Sequence, residues 1–160
     1  MTHALCLSRE RIKSTVGRSG QSKRANVASR CVRVLLVEDH SDTARAMWRL
    51  LRAQGFAVDC ATTCTEAIQA IGASRYDLLV SDIGLPDGTG FDLMRHARAA
   101  KGRGGIAGIA LSGFGLEHNI RRSKQAGFAV HFTKPLNIQQ LIESIERLTC
   151  ESIAAQCVSV

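Results

Sequence analysis

Three carboxylates, a hydroxyl and an ammonium carry the chemistry this sequence can do. They are Glu38 and Asp39, then Asp82, Ser112 and Lys134. Each closes or follows a short apolar run: V-R-V-L-L-V before Glu38, Y-D-L-L-V-S before Asp82, I-A-G-I-A-L before Ser112 and F-A-V-H-F-T before Lys134. Carboxylates brought close together repel, so they hold either protons or a cation. Mg2+ takes oxygen ligands, keeps several waters, and is commonly held by one or two carboxylates plus a phosphate. A carboxylate beside such an ion can attack phosphorus and become an acyl phosphate. What remains for the protein is to place the nucleophile in line and neutralise charge on the phosphoryl oxygens. Mg2+ and Lys134 can supply that charge, and Ser112 can donate a hydrogen bond.

The elements that must bring these groups together are legible in the same runs. Short, nearly continuous apolar stretches suit strands buried on both faces. Between the first two lies an amphipathic helix. Ala44, Met47, Trp48 and Leu51 form its apolar stripe, and Arg45, Arg49 and Arg52 face away. Ser41 or Asp42 is its expected cap and Gly55 its stop. A second short strand is expected over 56–61, then a short helix over 65–71, stopped by Gly72, and another helix over 91–99. Residues 83–90 read as loop, and 101–105 as a Gly-rich turn. A basic helix over 117–126 closes at Gly127. Asn137 can cap a last helix striped by Ile138, Leu141, Ile142, Ile145 and Leu148, with fraying expected from Cys150. Five strands alternating with five helices specify the α/β class. The sheet is single, parallel and doubly wound, with right-handed crossovers and helices on both faces. A parallel sheet gathers its strand carboxyl ends on one edge, where ligands bind.

Composition bounds the rest. The chain has 160 residues, enough for one domain with a full core. Its net charge of +7 is uneven: residues 1–31 hold seven Lys/Arg against Glu10 alone. This segment reads as a disordered basic tail, the one part expected to meet nucleic acid or acidic surfaces. The six cysteines form no C-x-x-C pair and no zinc spacing with histidine, and read as reduced thiols of a cytoplasmic protein. No apolar run approaches the roughly 18 residues of a membrane span.

With their order and spacing, the segments V-L-L-V-E-D-H, D-L-L-V-S-D-I-G-L-P-D-G-T-G, I-A-L-S-G and H-F-T-K-P-L resemble the receiver domain of response regulators. The resemblance covers roughly 32–149, between the basic tail and a frayed 150–160. It implies a flavodoxin-like strand order of 2-1-3-4-5, and a domain that acts in a two-component phosphorelay rather than as an enzyme. Asp82 is then the phosphoacceptor, receiving its group from the phosphohistidine of a histidine kinase or histidine phosphotransfer protein. Asp39 ligates Mg2+ directly and Glu38 partly through water, with Asp82 and the backbone carbonyl of Gly84 completing the set. Ser112 is the switch hydroxyl and Lys134 the phosphoryl contact, and the Lys134–Pro135 bond resembles one that is cis in the family. The switch position three residues before the lysine, often aromatic, holds His131, as in receivers attached to hybrid histidine kinases. Phosphorylation would change the conformation and so regulate a protein partner. Gly84 and Phe114 flank the route of an attacking water. The alternative is a degenerate receiver that binds partners without phosphate. The string P-D-G-T-G superficially resembles aspartate-nucleophile phosphatases of the haloacid dehalogenase type. Those need a second Asp where Gly84 stands, and a cap domain this chain has no room for.

Overall fold

Both faces of the central sheet are covered, which is why its strands lack apolar–polar alternation. In a computed structural model describing residues 31–101, 105–113 and 117–157, strand β1 (Arg33–Val37) is followed by α1 (Ser41–Ala53), β2 (Ala57–Ala61) and α2 (Cys64–Ala73). Then come β3 (Leu78–Asp82), β4 (Gly84–Leu85), β5 (Gly88–Thr89) and α3 (Gly90–Lys101). The chain continues with β6 (Ala107–Ser112), α4 (Glu117–Ala126), β7 (Val130–Thr133) and α5 (Ile138–Cys157).

The main sheet has the order β2-β1-β3-β6-β7, every pair parallel. With the small β4–β5 pair set aside, this is the expected 2-1-3-4-5. Alternate side chains divide the core into two layers. Val34, Leu36, Leu78, Val80, Ile109 and Leu111 pack with Met47 and Leu51 of α1 and Leu141 and Ile145 of α5. Leu35, Val37, Leu79 and Ala110 pack on the other face with Ala67 of α2 and Leu93 and Met94 of α3.

Several boundaries differ from expectation for local reasons. Helix α1 begins at Ser41 with His40 as its cap residue and no side-chain cap bond, so neither Ser41 nor Asp42 caps it. Asp42 instead sits in the first turn, where a negative charge suits the helix dipole. Gly55 ends α1 with φ +90°, a conformation that favours glycine. Helix α2 runs through Gly72 to Ala73, because one glycine weakens a helix without breaking it. Residues 83–90 contain a two-stranded antiparallel hairpin, Gly84 pairing with Thr89 and Leu85 with Gly88. Asn137 does cap α5, its Oδ1 accepting from the backbone N–H of Gln139 (3.0 Å) and Gln140 (3.2 Å). That helix continues to Cys157 instead of fraying at Cys150. The sequence E-S-I-A-A-Q-C offers neither Gly nor Pro to stop it. All of the expected disordered tail (1–31) but Cys31, the end of the chain (158–160), most of the Gly-rich turn and Phe114 lie outside the described residues.

Candidate functional site

The register of the sheet assembles the polar groups before any side chain is considered. Val37 pairs with Ser81, so Glu38 follows β1 level with Asp82. Asp82 pairs with Leu111, and Ser112 pairs with Thr133, the residue before Lys134. Four chain segments thus deliver Glu38, Asp82, Ser112 and Lys134 to one edge. Glu38 is wholly buried (0% exposed), and Asp82 nearly so at 9%.

Lys134 holds the two acids together. Its Nζ donates to Asp82 Oδ2 at 2.6 Å and to Glu38 Oε2 at 2.7 Å. Burial pulls the Lys134 pKa down, but the hydrogen bonds and charges of Asp82 and Glu38 outweigh it, and the net shift is upward. The ammonium therefore stays charged at neutral pH. The other oxygen of Asp82 accepts from the backbone N–H of Gly84 at 3.1 Å. Both carboxylate oxygens of Asp82 are thus held, one by a side-chain ammonium and one by a backbone N–H. The Lys134–Pro135 bond is cis.

Asp39 is more open, with its side chain 32% exposed. Its Oδ1 lies 2.9 Å from His40 Nδ1, and that hydrogen bond, with the charges of Asp39 and Glu38, raises the His40 pKa. One ligand atom from each of Glu38, Asp39 and His40 falls within 4.8 Å of the others, and theirs is the one such group of three among the described residues. The donor set fits a hard divalent ion: two adjacent carboxylates, one solvent-facing, beside the carboxylate of Asp82. His40 adds a nitrogen donor, but its Nδ1 already pairs with Asp39.

The switch position is fully hydrogen-bonded. His131 Nε2 lies 2.8 Å from Ser112 Oγ, and Nδ1 lies 2.7 Å from Ser123 Oγ on α4. Burial lowers the His131 pKa, which keeps its ring neutral near pH 7.

Three residues with local roles were not singled out by sequence. Asp87, in the hairpin turn, accepts from the backbone N–H of Cys64 (2.7 Å) and Thr65 (2.9 Å) and from Thr65 Oγ1 (2.7 Å). These bonds tie the hairpin after Asp82 to the start of α2, and they pull the Asp87 carboxyl down to about 2. The signal available was P-D-G, a turn motif that also suits a helix cap. Gly90 returns the chain so close to Asp82 that a Cβ there would collide with the Asp82 carbonyl oxygen. Only a contact across the hairpin reveals that. Ser123 had no sequence signal as a partner of His131.

Comparison with known proteins agrees with this geometry. The family model of the response regulator receiver domain matches residues 34–146. The chain is 30% identical to chemotaxis protein CheY of Pseudomonas aeruginosa, covering 73% of this chain and 95% of that protein. It is 31% identical to the cell cycle transcriptional regulator CtrA of Caulobacter vibrioides over 76% of this chain, but spans about half (52%) of that protein's length. Among solved structures, a CheY-like receiver domain from Methanospirillum hungatei superposes with a TM-score of 0.72 at 28% identity, covering 79% of this chain and 99% of that one. Over a family match covering most of the chain, with the acids, hydroxyl and lysine at the expected strand ends, this chain belongs to the response regulator receiver domains, the phosphoacceptor modules of two-component signalling.

Proposed function

We propose that Asp82 accepts a phosphoryl group from the phosphohistidine of a histidine kinase or histidine phosphotransfer protein, and that this changes the conformation offered to a downstream protein. The observation that carries the reading is the state of Asp82. It is a nearly buried carboxylate with one oxygen held by the Gly84 N–H and the other by Lys134, at a strand end beside Glu38. An oxygen of Asp82 forms the new P–O bond while the P–N bond to the donor imidazole breaks, and the bonding pair returns to that imidazole nitrogen. Lys134, already 2.6 Å from Asp82, offers its charge to the phosphoryl oxygens as they arrive. Ser112, on the neighbouring strand, offers a hydroxyl.

Glu38, Asp39 and Asp82, with the carbonyl of Gly84, are the groups that would hold Mg2+, which when bound neutralises charge on the transferring phosphoryl group. The domain in this reading assists its own phosphorylation and works in the cytoplasm. Among the described residues no helix is long and apolar enough to cross a membrane. The test is incubation with Mg2+ and acetyl phosphate, followed by intact mass. A single base-labile phosphoryl group on the wild type and none on Asp82→Ala is expected. An unmodified wild type, or a modified Asp82→Ala, would overturn the reading.

A further inference from the structure

The bonds around His131 have a polarity. The Ser123 hydroxyl has one proton, and Ser123 Oγ lies 2.9 Å from the backbone carbonyl of Asn119, which can only accept. With that proton spent, Ser123 must accept from His131 Nδ1 at 2.7 Å. A neutral imidazole with its proton on Nδ1 has a bare Nε2, which must accept from the Ser112 hydroxyl at 2.8 Å. Ser112 and Ser123 are both buried, at 3% and 1% exposure, so water does not readily replace either link. The chain of donation runs one way, from the phosphoacceptor edge into α4.

Resting on Asp82 as the phosphoacceptor, we propose that His131 is a positioning residue that ties the state of Asp82 to α4 through Ser123. Before phosphorylation it holds the Ser112 proton away from the acceptor site. A phosphoryl group on Asp82 adds strong acceptor oxygens, and the single Ser112 proton cannot serve both those oxygens and His131. When Ser112 turns to the phosphoryl group, Nε2 loses its donor. The ring recovers a partner by rotating or by moving its proton to Nε2. Either change removes the Nδ1–H bond to Ser123, whose hydroxyl is then free to leave the Asn119 carbonyl one turn earlier in α4. A side chain with two nitrogens of opposite role does this by exchanging donor and acceptor. By linkage, a partner that holds α4 in the second arrangement favours phosphorylation of Asp82 to the same degree.

The test uses the full chain with 15N-labelled histidine and beryllofluoride plus Mg2+ as the phosphoryl mimic. The spectrum of His131→Gln identifies which of the five histidines gives the signal. A neutral ring protonated at Nδ1 in the free protein, changing on addition of beryllofluoride, is expected. An Nε2-protonated ring in the free protein overturns the proposal without any variant. The second arm compares α4 amide shifts caused by beryllofluoride in the wild type, Ser123→Ala and Ser123→Thr. The 19F signal of the bound mimic shows that Asp82 is occupied. The α4 shifts are expected to be at least halved in Ser123→Ala and restored in Ser123→Thr. Equal α4 shifts in all three, with the mimic bound, overturn the relay while leaving the phosphoacceptor reading intact. No bound mimic in the wild type, together with no adduct from acetyl phosphate, overturns both.

Discussion

Glu38 is buried and leans on Lys134, while Asp39 next to it remains open. Three carboxylates at one strand edge carry more charge than Lys134 neutralises, and among the described residues only the exposed His40 pairs with Asp39. Asp39→Asn is therefore expected to raise stability in the absence of metal, by an amount on the order of 1 kcal/mol for a partly exposed charge. The same change should abolish the stabilisation that Mg2+ is expected to give the wild type, about 2.7 kcal/mol at a hundred times its Kd. Urea unfolding with and without Mg2+ measures both. Equal Mg2+ stabilisation in the two proteins would remove Asp39 from the metal site. The acids, Ser112 and Lys134 were legible in sequence because each closes an apolar run, and a run's end fixes which edge a residue reaches. Gly90 was not, because its need comes from the hairpin folding back onto the Asp82 carbonyl. His131 was legible as a position, but its partner Ser123 lies on another element and carries no pattern of its own.

Elements are set by the same rules, with one long-range exception. Helix α2 is capped twice at its start. Thr63 Oγ1 accepts from the Glu66 N–H (3.1 Å), as the local sequence dictates, and Asp87 reaches across from the hairpin to the N–H groups of Cys64 and Thr65. The second cap makes the segment after Asp82 and the start of α2 one unit. Because these hydrogen bonds lower the Asp87 carboxyl from 3.8 to about 2, the folded state holds its charged form more tightly than the unfolded chain does. The stability this contributes is present above about pH 4 and is lost as pH falls toward 2. Asp87→Asn should flatten that limb of the pH–stability curve, read from denaturant midpoints between pH 2 and 5, while leaving the neutral limb's slope unchanged. An identical acid limb in both proteins would mean that other carboxylates carry it. The strands and helices on either side were legible from apolar periodicity. The hairpin was not, because two residues per strand are too few to show a period. The length of α5 was missed because its apolar stripe ends at Leu148 while its helix-compatible composition continues to Cys157.

At the scale of the molecule, the site is built where a fully buried centre meets a half-buried margin. Strands β1, β3 and β6 each have a neighbour on both sides, and their central residues are fully buried on both faces. Strand β7 pairs with β6 alone, none of its residues is buried, and it carries His131 and leads into Lys134. Asp82 thus sits on the centre, and His131 and Lys134 on or just after the edge strand. Segments of low local stability open at a cost between roughly zero and the global 5–15 kcal/mol, while the centre opens only with the whole. Amide exchange should therefore show residues 35–37, 79–80 and 109–111 protected to the global limit, and 130–133 and α4 exchanging through cheaper openings. Beryllofluoride binds only states that keep the site intact, so it protects an amide whose opening breaks the site and leaves others unchanged. Residues 130–133 and α4 should gain protection by an amount that grows with the concentration of the mimic. The exposed outer face of α2, away from Lys134 and Ser112, should gain none through its local openings. If β7 is as protected as β1 in the free protein, the edge is no softer than the centre. Its response to Asp82 would then require concerted opening of the whole sheet.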